Sequence, residues 1–140
     1  GLAGDDTFYG LPEFGRPGVK VARHRTGSHT DEPDRDVSAT MPDQALADLR
    51  EFNRQQFAFP MELVGYEPCM YTNTSNEDFL LDLHPADARV VIGAGFSGHG
   101  FKFGPLTGGI LAELLLDGRT QVASFERHRQ DFSFKQMPAW

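Results

Sequence analysis

Residues 90–103 read Val90-Val91-Ile92-Gly93-Ala94-Gly95-Phe96-Ser97-Gly98-His99-Gly100-Phe101-Lys102-Phe103. The apolar start predicts a strand, and the glycines predict a loop, residues 95–101, which we call the glycine loop. Downstream, leucine and isoleucine recur at helical spacing, so we expect an amphipathic helix that ends at Gly118. A strand, a glycine loop and a helix in this order bring a backbone close to a flat or anionic ligand.

The glycine spacing, Gly93-x-Gly95-x-x-Gly98, also matches the dinucleotide-binding fingerprint. Two features count against a nicotinamide-binding domain. Too little chain follows the motif to complete a βαβαβ unit, and no acidic residue ends a second strand about 20 positions later. Asp117 is near that distance but is expected in the last turn of the helix.

The glycines could serve only tight packing of the strand against the helix. Ser97, His99 and Lys102 favour a ligand site instead, because a packing turn does not need them. The start of a helix carries roughly half a positive charge, which suits a ligand that becomes anionic during turnover, such as a reduced flavin.

The rest of the chain predicts antiparallel strands with a flanking helix, an α+β pattern. The helix is expected to start at Thr40 and Pro42 and to run to about Phe57, because apolar residues recur there at helical spacing. Residues 26–41 are expected to form a surface loop, and residues 121–140 show no clear period. Strands are expected at residues 7–14, 19–24, 63–66, 69–74, 79–83 and 89–94.

Composition restricts the function classes. The formal net charge is −7, from 13 basic and 20 acidic residues, so a nucleic-acid or anionic-membrane surface is not favoured. The longest apolar run is too short and too rich in glycine to span a bilayer. One cysteine cannot form an internal disulfide, and no signal peptide is visible, so a cytoplasmic setting is expected.

Four further residues are candidates for chemistry. Cys69 is the single thiol, and Tyr71 follows it by two positions, which would place both side chains on one face of a strand. Lys20 and His24 likewise share one face of a strand. Taken singly, a buried cysteine and a solvated lysine are the more common outcomes. No set of His, Cys, Asp or Glu has metal-ligand spacing, so no metal site is expected.

Together these residues resemble the C-terminal part of the monomeric sarcosine oxidase and N-methyltryptophan oxidase family. Its members are FAD-dependent amine oxidases of the D-amino-acid-oxidase-like group. The resemblance covers nearly all of residues 5–120. Its most specific runs are Tyr9-Gly10-Leu11-Pro12, Cys69-Met70-Tyr71-Thr72, Glu77-Asp78-Phe79-Leu80-Leu81-Asp82 and residues 95–103.

The resemblance implies a role for each candidate. The family's cysteine forms a thioether to the flavin 8α carbon, which implies covalent FAD on Cys69. Lysines at the positions of Lys102 and Lys20 hold the substrate carboxylate and promote reaction with oxygen, respectively. Residues matching His24 and Tyr71 line the substrate pocket. The cofactor-binding residues are therefore expected to be Cys69, Gly95, Phe96, Ser97, Gly98, His99, Gly100, Phe101 and Lys102, with Lys20, His24, Tyr71 and Lys102 as catalytic residues.

The resemblance also implies a domain organisation. Residues 1–83 would form part of a substrate-binding domain with an antiparallel or mixed sheet. Residues 84–120 would complete an FAD-binding domain, and residues 121–140 would form a tail. Family members carry an N-terminal Rossmann half upstream, which is absent here, so the isolated chain is expected neither to retain FAD nor to oxidise amines.

The family reaction takes an N-methyl amino acid and oxygen to formaldehyde, the demethylated amino acid and hydrogen peroxide. Sarcosine, N-methyltryptophan and other N-methylated or cyclic amino acids all fit the residues seen. An alternative is a non-catalytic binding or assembly module that reuses the fold. Joint retention of Cys69, Lys20 and Lys102 favours the oxidase.

Overall fold

The computed structural model describes residues 7–24, 41 and 43–136. The chain forms two compact units, Gly1–Cys69 and Met70–Trp140. In the described residues, each unit contains one two-stranded antiparallel sheet and helical structure, so the α+β expectation is confirmed. Among the described residues, no helix is both long and apolar enough to cross a bilayer.

The first unit is a hairpin with one helix. Strand β1 (Phe8–Leu11) pairs with β2 (Lys20–Arg23), and helix α1 covers Asp43–Gln56. The helix packs on the hairpin, since the rings of Phe8 and Phe52 stack with centroids 4.1 Å apart. A half-buried ion pair of 2.7 Å between Arg23 and Asp48 adds a polar contact between α1 and β2.

The second unit is built on the hairpin of β3 (Leu80–His84) and β4 (Asp87–Ala94). Helix α2 (Gly104–Asp117) follows the glycine loop and ends at Gly118, whose φ of 71° lies in the left-handed region that glycine favours. The helix packs against this hairpin. The buried core consists of Phe79, Leu81, Ile110, Leu114 and Phe125.

The strands predicted at residues 7–14, 19–24, 79–83 and 89–94 are confirmed, as are the helices α1 and α2, with bounds that differ by a few residues. The predicted start of α1 at Thr40 and Pro42, and nearly all of the loop at residues 26–41, lie outside the described residues. Asp117 ends α2, as expected.

Two strand predictions are wrong. Residues 63–66 and 69–74 form no strand in the described part of the chain, so the larger sheet expected there is not formed. A strand exists only through hydrogen bonds to a neighbouring strand. The residue types in a segment favour an extended backbone but do not provide that neighbouring strand. Leu63 and Val64 are accordingly 50% and 80% exposed.

The tail is more ordered than its sequence indicates. Residues Ala123–His128 form helix α3, and two 3-10 helices follow at Arg129–Phe132 and Phe134–Gln136. Phe125 is buried and stacks on Phe132 at 5.3 Å. The Arg129 guanidinium donates a 2.8 Å hydrogen bond to the carbonyl of Gly118 at the end of α2. Contacts with distant residues, rather than a local period, therefore order this segment.

Candidate functional site

The glycine loop turns the chain sharply between β4 and α2. Gly95 and Gly98 have φ of 64° and 75°, and Ser97 between them has φ of 47°. A left-handed φ is routine for glycine, but for serine it costs free energy that surrounding contacts must offset. The loop is therefore held in one conformation by its neighbours.

Ser97 is the most connected residue of this loop. Its side chain is buried, and its hydroxyl donates to the carbonyl of Gly95 at 3.1 Å. The Thr74 amide donates to the same hydroxyl over a longer 3.4 Å, and the Ser97 amide donates to the Thr72 carbonyl at 3.1 Å. These bonds fasten residues 72–74 to the loop.

Tyr71 lies directly on the loop. A Cβ atom added to Gly98 would stand 2.6 Å from Cδ2 of the Tyr71 ring, closer than side-chain carbons approach one another. A Cβ atom on Gly95 would likewise collide with the methyl group of Thr74. The two glycines therefore serve close approach as well as left-handed backbone.

His99 is oriented from within the loop. Its Nδ1 lies 3.1 Å from the carbonyl oxygen of Ser97, and its ring centroid lies 5.0 Å from that of Phe79. A carbonyl oxygen only accepts hydrogen bonds, so Nδ1 carries the hydrogen and donates it. In the neutral ring Nε2 is then the acceptor, which is the state suited to a donor group on a ligand.

The aromatic residues of the loop have different surroundings. Phe96 packs on the core, edge-on to Phe79 at 5.0 Å, and its ring fills the space that a Cβ on Gly100 would need. A ligand contact at Phe96 would therefore come from its backbone. Phe101, by contrast, is fully exposed.

Lys102 lies between the glycine loop and α2, in the 3-10 helix Phe101–Phe103. It is exposed, and its Nζ stands 5.4 Å from the ring centroid of Phe103. The Gly104 amide donates to the Phe101 carbonyl and Pro105 has no N–H, so the positive potential that α2 adds beside this ammonium comes from its helix dipole rather than from these two residues. This end of the loop suits a carboxylate or a developing anion.

The remaining candidates belong to the first unit. Lys20 is exposed at the start of β2, with its Nζ 5.4 Å from the Tyr9 ring centroid. His24 directly follows β2, and its amide donates to the Thr7 carbonyl at 2.7 Å. Cys69 is an exposed free thiol. Because residues 69–74 form no strand, the expected one-face arrangement of Cys69 and Tyr71 loses its basis.

The second unit thus brings Tyr71 together with Gly95, Ser97, Gly98 and His99. Sequence reasoning missed Thr72 and Thr74, which tie residues 72–74 to the loop. No spacing rule links positions so far apart, so no local signal could have found them. Within the described residues, no group of three or more His, Cys, Asp and Glu is arranged to hold a metal ion.

Sequence comparisons with known proteins place the chain in a family. A family profile described as FAD dependent oxidoreductase, abbreviated DAO, matches residues 3–114. The chain therefore belongs to this family of FAD-dependent oxidoreductases.

Among its relatives are proteins named for the oxidation of N-methyl amino acids. The chain is 43% identical to a monomeric sarcosine oxidase of Bacillus sp. (strain NS-129), over 81% of this chain and 30% of that protein. It is 44% identical to the peroxisomal sarcosine oxidase of Homo sapiens, over 76% of this chain and 28% of that protein. It is 30% identical to the N-methyl-L-tryptophan oxidase of Salmonella typhi, over 82% of this chain and 30% of that protein.

The resemblance expected from the motifs is therefore confirmed. The match covers most of this chain but only about 30% of the length of these relatives. The activity, substrates and partners of a whole protein are consequently matters for proposal.

Proposed function

We propose that this chain is the C-terminal portion of a flavin-dependent oxidase of N-methyl amino acids. Its family membership and its similarity to sarcosine and N-methyltryptophan oxidases support this proposal. The observation that carries it is the glycine loop, where left-handed backbone, an oriented histidine and a lysine lie together between β4 and α2.

In this proposal, residues 84–120 complete an FAD-binding domain and residues 1–83 form part of the substrate-binding domain. Residues 121–140 form the tail, and further chain supplies the Rossmann half. The strand, loop and helix of residues 87–117 are the kind of unit that completes such a domain. We predict that the 140-residue chain alone neither retains FAD nor oxidises amines, and that the whole enzyme is cytoplasmic.

The residues present fit a flavin. Gly98 has no side chain and is exposed, so a flat ring can approach its backbone, whereas Gly95 is buried against Thr74. We propose that the backbone of residues 95–101 contacts the isoalloxazine ring, with His99 offering Nε2. The exposed thiol of Cys69 is accessible for a thioether to the 8α carbon. When bound, the flavin supplies the oxidation chemistry of the reaction.

The four proposed catalytic residues have distinct tasks. The Lys102 ammonium binds the substrate carboxylate, which fixes the amino acid so that the C–H bond beside nitrogen faces the oxidant. The Lys20 ammonium stabilises the negative charge that develops as oxygen accepts electrons. His24 and Tyr71 line the substrate pocket and exclude water from it.

For sarcosine, the proposed reaction consumes one oxygen and one water molecule. It yields glycine, formaldehyde and hydrogen peroxide, because the imine formed at the N-methyl group hydrolyses. The other candidate substrates are N-methyltryptophan and further N-methylated or cyclic amino acids.

The test is an assay of the full-length protein that contains this chain. The purified protein is scanned for flavin absorbance and then given sarcosine or N-methyl-L-tryptophan, with formaldehyde and peroxide measured. We expect a yellow protein that releases both products in equal amounts. A colourless protein that makes no peroxide and binds no added FAD would instead favour a non-catalytic assembly module.

A further inference from the structure

We infer that Ser97 is a positioning residue: its buried hydroxyl, which bonds Thr74, and its amide, which bonds Thr72, together hold residues 72–74 against the glycine loop and so fix the ring of Tyr71 over Gly98. This inference rests on the proposed function, in which Tyr71 lines the substrate pocket. It assigns to Ser97 a task inside the protein, whereas the family resemblance implies only a place in the cofactor-binding loop.

Because the Ser97 side chain is buried, it does not contact a ligand directly. The residue is 2% exposed, and its hydroxyl donates to the Gly95 carbonyl while accepting from the Thr74 amide. Both contacts are with the main chain, one with the glycine loop at Gly95 and one with residues 72–74 at Thr74. The hydroxyl is therefore a crosslink between two segments that lie 23 positions apart in sequence.

The strain at this position points the same way. Ser97 has φ of 47°, whereas its neighbours with left-handed φ, Gly95 and Gly98, are glycines. A glycine at position 97 would adopt this φ without steric strain, so for serine the strain has to be offset by contacts such as those of its hydroxyl. The crosslink to Thr74 and Gly95 is the offset that the structure shows.

The crosslink acts on Tyr71 through the backbone. Ser97 holds the carbonyl of Thr72 with its amide and the amide of Thr74 with its hydroxyl. Tyr71 immediately precedes this tied segment, and its ring is pressed on Gly98, immediately after Ser97. Loosening one end of the crosslink frees the ring to leave the glycine.

The experiment uses Ser97→Ala in the full-length protein, with Ser97→Gly as a second variant that relieves the backbone strain and also lacks the hydroxyl. Hydrogen exchange of the Thr74 amide reports the crosslink directly. The upfield NMR shift that the Tyr71 ring imposes on the Gly98 α-protons reports the ring position. The KM and kcat for the N-methyl amino acid report the consequence for the pocket.

We expect both variants to exchange the Thr74 amide about five- to tenfold faster, the size of one lost hydrogen bond. The Gly98 shift should move toward the value in Tyr71→Leu, and KM should rise about tenfold while kcat changes less than about threefold. Ser133→Ala is the matched control. Ser133 is also a buried serine, and its hydroxyl donates to the Gln130 carbonyl at 2.8 Å, away from the loop. That variant should leave all three readouts unchanged.

An unchanged Thr74 exchange rate or an unchanged Gly98 shift in both Ser97 variants would overturn the inference. The inference would also be overturned if the Ser97 variants exchanged the Thr74 amide faster but kept the KM of the Ser133→Ala control. If the wild-type protein oxidises no amine, the proposed function fails, while the exchange rate and the Gly98 shift still decide whether Ser97 holds Tyr71.

Discussion

The ring of Tyr71 occupies the space that a side chain on Gly98 would need. The added Cβ atom would stand 2.6 Å from Cδ2 of that ring. This contact joins the segment that follows the single cysteine to the loop that leads into α2. With the hydrogen bond from the Ser97 amide to the Thr72 carbonyl, it links the two sequence motifs on which the oxidase proposal depends.

Gly98→Ala should therefore destabilise the protein and displace Tyr71. The new methyl group collides with the ring, and alanine is strained at φ of 75°. We expect the free energy of unfolding, measured by urea titration, to fall by about 2–6 kcal/mol, the sum of strain and overpacking.

Gly108→Ala is the control for this variant. Gly108 lies within α2, and a Cβ atom there meets nothing within 4 Å. Because alanine favours helix over glycine, this variant should gain about 0.5–1 kcal/mol. Equal stability of the two variants would contradict the close packing of Tyr71 on Gly98.

The two proposed lysines should separate in kinetics. Lys102→Met removes the cation for the carboxylate, so KM for the N-methyl amino acid should rise about tenfold or more while reoxidation of the reduced flavin is unaffected. Lys20→Met should do the reverse and slow the reaction of reduced flavin with oxygen by about 10²-fold, as when one electrostatic contact to a developing anion is lost. Stopped-flow mixing with substrate or with oxygen measures the two steps.

Lys135→Met serves as the charge-matched control, since Lys135 is exposed in the last 3-10 helix. It should change neither step. If Lys20→Met and Lys102→Met impair the same step equally, the division of labour between the two cations is wrong.

Glu113 should contribute to the loss of stability of the second unit as the pH falls. The Thr120 hydroxyl and the Gln121 amide both donate to its carboxylate and hold the pKa of Glu113 below its ordinary value of 4.5. A carboxyl whose pKa is depressed on folding stabilises the protein above pH 4.5, and this contribution is lost as pH falls through the folded-state pKa.

We expect Glu113→Gln to unfold with a weaker dependence on pH below 4.5 than the wild type shows. Thermal unfolding of both proteins is followed by circular dichroism at steps of about half a pH unit between roughly pH 3 and pH 7. It gives the slope of stability against pH for each protein. Parallel slopes would mean that this carboxylate is not engaged at the junction of α2 and the tail.

The tail should prove to be part of the folded core. Phe125 is 6% exposed in the main hydrophobic cluster, so Phe125→Ala should cost about 3–5 kcal/mol of unfolding free energy. Leu116, which is 80% exposed on α2, is the control, and Leu116→Ala should cost less than about 0.5 kcal/mol. A small effect of Phe125→Ala in urea titration would return residues 121–136 to the status of an unpacked tail.

Local pattern predicted some parts of this fold well. The helix that ends at Gly118 and the hairpin of β3 and β4 follow from side-chain periods within each segment and from one glycine with positive φ. The same reasoning located the glycine loop between a strand and a helix, where Gly95 and Gly98 adopt positive φ.

Other parts depend on residues far away in the chain, and no local pattern encodes them. The apolar and aromatic residues at positions 63–66 are typical of a strand, yet a strand needs a partner, and none pairs with this segment in the described chain. The helix containing Phe125 is stabilised by the core cluster that Phe125 shares with Phe79 and Leu81, which come much earlier in the chain. The link from Ser97 to Thr74 joins two loops, where side-chain period carries no information.

The covalent state of Cys69 tests the central claim most directly. The full-length protein is purified, denatured in acid, digested with trypsin, and the peptide that contains Cys69 is weighed by mass spectrometry. We predict a peptide heavier by one FAD less two hydrogens, with the flavin released from the protein in Cys69→Ser. An unmodified Cys69 peptide from a protein that holds one flavin per chain would contradict the proposed attachment.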